Sequence, residues 1–77
     1  MNVSDLKEGE SAHVTCVCAG KNIEGRLALL NVYAGAHVTL VRRAPFGGSL
    51  MLEAGGVRLA VHKGIAARIE CEREETE

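Results

Sequence analysis

Apolar and polar residues alternate along most of the chain, and where the alternation breaks it does so at turn-forming residues. Residues 12–18 place Ala12, Val14, Cys16 and Cys18 on one side and His13, Thr15 and Val17 on the other, the period of a half-buried strand with its thiols turned inward. Ile23, Leu27 and Leu30 then recur at helical spacing behind Asn22, which predicts a short helix over 23–30 with Asn22 as its N-cap. Asn31 tolerates the left-handed conformation that ends helices, and Ala34-Gly35 turns the chain into a second strand, His37 to Arg43. The sequence Ala44-Pro45-Phe46-Gly47-Gly48 follows as a sharp corner.

The next segment specifies itself most tightly. With Gly55-Gly56 as a two-residue primed turn, Ala54 opposes Val57, Leu52 opposes Leu59 and Leu50 opposes Val61, while Glu53 meets Arg58 on the other face. A slip of one residue would put the leucines in water, so a single register satisfies both faces. A helical turn over 63–66 leads to a last strand, 67–71, with Ala67, Ile69 and Cys71 pointing inward. Five short, mostly consecutive strands and one short helix predict an all-β fold. A small five-stranded SH3-like barrel is the economical closure, with an OB-like barrel second.

Length limits what such a barrel can hold. At 77 residues the chain makes one domain and buries only about 60–65% of its unfolded surface, which leaves little room for a deep cleft. The net charge of −1 hides an uneven distribution: residues 70–77 carry five glutamates against Arg73, so the remainder is mildly basic. The expected organisation is therefore a domain over 1–72 and an acidic, disordered tail over 73–77. No run approaches the ~18 apolar residues of a membrane helix, and the polar start lacks the regions of a signal peptide. Three cysteines, an odd number without disulfide-scaffold density, fit a reducing compartment, and the expected location is cytoplasmic.

Candidate chemistry is sparse. Cys16-x-Cys18, Cys71, His13, His37 and His62 are the residue types that ligate zinc or iron, but the thiols fall on faces read as inward, where they act as small hydrophobes. A Cys16–Cys18 disulfide is not expected, because strand residues two apart carry parallel side chains on Cα atoms roughly 6.5–7 Å apart. The histidines lie on outward faces or a strand end and match no zinc spacing. There are no paired carboxylates in an apolar setting, no nucleophile elbow and no phosphate-binding loop, so no enzyme, metal site or cofactor is expected. Arg42, Arg43, Arg58, Lys63 and Arg68 would suit a nucleic-acid module, yet only Tyr33 and Phe46 are available for base stacking. Pro-rich peptide recognition fails on the same scarcity.

Leu6-x-x-Gly9-Glu10-x-Ala12-x-Val14, Arg26-Leu27-x-x-Leu30, Gly35-x-x-Val38, Ala44-Pro45-Phe46-Gly47-Gly48 and Ala66-x-x-Ile69, in this order and spacing, resemble the FeoA family. Asn31, Ser49, Val61-His62 and Cys71 depart from its usual residues without opposing its fold. The resemblance implies a small cytoplasmic SH3-like accessory protein of ferrous iron uptake. Its partner would be the cytoplasmic part of FeoB, a membrane transporter with a G-domain, which would recruit it to the inner membrane face. It would assist or regulate uptake without itself carrying iron.

For such docking the candidate contacts are Arg42, Arg43, Pro45, Phe46 and Met51, at or beside the corner. Either Phe46 or Met51 faces water as an apolar anchor with arginines at its rim, or Phe46 plugs one end of the barrel and the arginines are solvated charge. The other readings are a free-standing nucleic-acid module, or a metal-responsive domain similar to the one appended to iron-dependent repressors. An unpaired edge strand would allow weak self-association.

Overall fold

The computed structural model of the protein describes residues 1–74. Its first residues, without an expected element, form a single 3-10 turn, Val3–Asp5. Asn2 caps it: its side-chain oxygen accepts from the Ser4 amide at 3.0 Å, while the Asn2 amide donates to the Asp5 carboxylate at 3.0 Å. The turn lowers Val3 and then Leu6 into the core, both with no exposed surface.

Five strands make one antiparallel sheet: β1 (Ser11–Val17), β2 (His37–Arg43), β3 (Ser49–Ala54), β4 (Val57–His62) and β5 (Ile69–Arg73). Their spatial order is β4-β3-β2-β1-β5, so the last strand returns beside the first and the sheet bends around one core without closing strictly into a cylinder. Helix α1 (Lys21–Leu29) joins β1 to β2, and the one-turn helix α2 (Lys63–Ala66) carries the chain from β4 to β5. This is the five-stranded, mostly β architecture expected.

The core is a single cluster that includes Val3, Leu6, Ala12, Val14, Leu27, Val32, Val38, Leu40, Leu50, Leu52, Val61, Ile69 and Cys71. The β3–β4 register is the expected one, with Ala54 opposite Val57, Leu52 opposite Leu59, Leu50 opposite Val61 and Glu53 opposite Arg58. Gly55 and Gly56 form its turn at φ +56° and +83°, the signs that a type I′ turn requires. Asn31 is left-handed at φ 70°, also as expected.

Four expectations need correction. First, Cys16 and Cys18 are exposed, and Cys71 alone is buried. Val14 pairs with Cys71 but Cys16 pairs with Glu70, so Thr15 is an extra residue, a β-bulge that reverses the inside–outside parity beyond it. Val17, expected outside, consequently packs against the core. Second, α1 begins two residues earlier than expected: Gly20 at φ +91° is its N-cap, and the Glu24 carboxylate accepts from the Gly20 amide at 2.9 Å in place of an Asn22 cap. Third, Ala67 is exposed, because it caps α2 and β5 begins only at Ile69. Fourth, β5 runs to Arg73, past the expected strand end at Cys71, and the Glu74 amide beyond it donates to the Ser11 carbonyl at 3.0 Å. The rest of the expected tail, 75–77, lies outside the described residues.

Candidate functional site

The corner between β2 and β3 is built from its own backbone. The Ala44 amide donates to the Ser49 carbonyl at 3.0 Å, and the Gly47 amide returns to the Ala44 carbonyl at 3.0 Å. Pro45 thus takes the second position of a four-residue turn, where its fixed φ fits, and Gly47 takes the fourth. Phe46 lies between them and is 99% exposed, so it does not plug the barrel.

The two arginines before the corner have separate fates. Val41 is a second bulge, after which Arg42 pairs with Met51 and Arg43 with Leu50. Because Leu50 points inward, Arg43 starts on the core side and passes the barrel end, where its guanidinium donates to the Ser4 and Leu6 carbonyls. Its own amide donates to the Glu8 carboxylate at 2.8 Å. Arg43 therefore ties the lead-in to the corner. Arg42 points outward, beside the half-buried Met51, which in turn pairs with Ala60 on β4. Among the described residues Arg42 forms no ion pair, whereas Arg58 is held by Glu53 at 3.2 Å and Arg73 by Glu10 at 3.0 Å. The expected contact residues thus divide into an outward group, Arg42, Pro45, Phe46 and Met51, and one brace, Arg43.

The histidines occupy three local roles. His13 meets Glu72 at 3.3 Å and His37 meets Glu74 at 2.7 Å, both across exposed strand surface. His62 caps α2, its Nδ1 accepting from the Gly64 amide at 3.0 Å. Among the described residues, no three of His, Cys, Asp and Glu gather closely enough to hold a metal ion. Nor is any described helix long and apolar enough to cross a membrane.

Sequence reasoning missed two apolar surfaces. A depression of ≈ 170 Å³ lies between α1 and β4, lined by Ile23, Leu27, Leu30, Leu59, Val61 and Ile65 among others. Leu29 and Tyr33 stand 85% and 51% exposed at and just after the helix end. The helical spacing of Leu27 and Leu30 was the available signal for the first; Leu29, on the opposite face of the same turn, was the signal for the second.

A family model described as the FeoA domain matches residues 1–73. The chain belongs to the FeoA family. A FeoA protein from Chlorobium tepidum, solved in solution, superimposes with a TM-score of 0.94 at 30% identity, over 100% of this chain and 73% of that one. FeoA from Stenotrophomonas maltophilia, solved as a zinc complex, superimposes at 0.79 with 32% identity, over 94% of this chain and 89% of that one. That protein is described as a prokaryotic SH3 domain protein and a candidate activating factor for ferrous iron transport. The manganese regulator SloR contains the same fold at a TM-score of 0.79 and 18% identity, with 96% of this chain matching 34% of that one. No curated protein matches the chain. The SH3-like architecture expected from the strand pattern is thus that of FeoA proteins, and the Pro45-to-Gly48 corner is an exposed projection on a FeoA barrel.

Proposed function

We propose that the protein is a non-catalytic accessory factor of ferrous iron uptake that docks, in the cytoplasm, on the G-domain-containing part of a FeoB-type membrane transporter. Family membership supports the transport context, and the observation that carries docking is the fully exposed Phe46 on a braced turn. An aromatic ring in water gains free energy when a partner covers it, and a turn already fixed by its own hydrogen bonds loses little entropy on binding. Pro45 and Phe46 supply the apolar anchor, Arg42 and Met51 its rim, and Arg43 holds the corner to the lead-in.

The test is titration calorimetry of the protein against the soluble cytoplasmic portion of a FeoB-type transporter. Phe46→Ser should weaken binding by about tenfold or more, an interfacial anchor being worth at least ~1.4 kcal/mol. Unchanged binding by this variant would remove the corner from the interface, and no binding by the wild type would remove the partner. Nuclease-sensitive recovery of RNA or DNA with the protein would favour the nucleic-acid reading instead.

A further inference from the structure

The bulge at Thr15 puts two thiols where the strand pattern hid them. Cys16 pairs with Glu70 on the outer face of β1, and Cys18 lies just past the strand end, its amide donating to the Arg68 carbonyl at 2.9 Å. Both side chains are exposed, and their Sγ atoms stand 2.7 Å apart. That is inside the van der Waals contact of two sulfur atoms, so the two side chains converge, whereas a flat strand would hold them parallel and apart. The third thiol, Cys71, is 2% exposed within the core, so the described residues contain one accessible dithiol and one sequestered thiol.

We propose that Cys16 and Cys18 form a thiol–disulfide exchange site that takes low-molecular-weight disulfides of the glutathione type and closes to an intramolecular disulfide. In the first step the Cys16 thiolate attacks one sulfur of the small disulfide; the S–S bond of that molecule breaks and one small thiolate leaves. In the second, Cys18 gives up its proton to a small thiolate and attacks the Cys16 sulfur, releasing the other half. The protein loses two electrons and two protons, and the small disulfide becomes two thiols.

The surroundings of Cys18 bear on its part in the exchange. The Cys18 thiol is raised above its ordinary value first by its hydrogen bond with the Cys16 sulfur, with the Glu24 and Glu70 carboxylates adding to the shift. Cys18 therefore tends to hold its proton, which suits it to the second, resolving step. Once Cys16 carries the adduct, Cys18 is already beside it, and closure as an intramolecular reaction outruns attack by a second small molecule. Exposed disulfides are the labile ones, so the dithiol persists in a reducing compartment and closes when the small-disulfide fraction rises.

The experiment is intact-mass analysis of the full chain after incubation with excess oxidised glutathione, with later alkylation under denaturing conditions. The wild type should lose the mass of two hydrogens, carry no glutathione and take up a single alkyl group, at Cys71. Cys18→Ser should instead retain one glutathione on Cys16, with an unchanged melting profile reporting that the barrel is intact. A stable glutathione adduct on the wild type, a disulfide-linked dimer, or a chain that still alkylates at all three cysteines would each overturn the proposal.

Discussion

The two turns that flank β3 use the same residue types to opposite ends. Both contain a glycine pair, and both use left-handed glycines, Gly47 at φ +72° on one side and Gly55 and Gly56 on the other. Around Gly47 and Gly48 an added methyl group would meet nothing within 4 Å. At Gly55 it would lie 2.6 Å from the Asn31 side-chain nitrogen, which donates to the Ala54 carbonyl at 3.3 Å. One turn is thus locked to the end of α1 and the other stands in solvent with Phe46 at its tip. Glycine content alone does not tell a structural turn from a presented one; what lies against the turn does.

The largest expected effect is at the locked turn. Gly55→Ala should destabilise the protein by about 2 kcal/mol or more in urea denaturation, since left-handed strain adds to displacement of the Asn31 hydrogen bond. Repeating it in an Asn31→Gly background should recover part of the loss, and a cycle without coupling would show that the lock carries no energy. Gly47→Ala isolates the backbone contribution, because its surroundings are open. Its cost should be about 1 kcal/mol, smaller than at Gly55, and equal costs would erase the contrast between the turns. Smallest of all, Phe46→Ser should change stability by less than about 0.5 kcal/mol, as its ring touches little in the free protein.

How much of this was legible follows the same line between local and non-local causes. The β3–β4 hairpin could be read residue by residue because each facing pair agrees in polarity and the turn residues permit one register. The helix start was misplaced because its cap is a glycine whose amide is served by Glu24 four residues on, a bond that composition does not advertise. Thr15 is an ordinary strand residue, and nothing in its chemistry marks it as the extra residue of a bulge. The mismatch exists only in pairing with β5, so the exposure of Cys16 and Cys18 was invisible without it. In the corner, the sequence left Phe46 either inside or outside. Val3 and Leu6 from the first residues are already buried in the core, Arg43 bonds across the Ser4 and Leu6 carbonyls, and the Phe46 ring stands in solvent. Arg42 and Arg43, alike in sequence, differ because one bulge at Val41 decides which of them faces the core.

The unequal margins of the sheet carry a consequence for assembly. Along β5, Asn2 forms a bridge to Glu70 and the Met1 carbonyl accepts from the Cys71 amide at 2.9 Å, while among the described residues the outer side of β4 has no backbone partner. Lateral recruitment of a second copy through β4 would join two margins of the same kind and leave only obstructed ones outside. Growth of that kind would be self-terminating: it would stop at a pair and offer no template for a fibre.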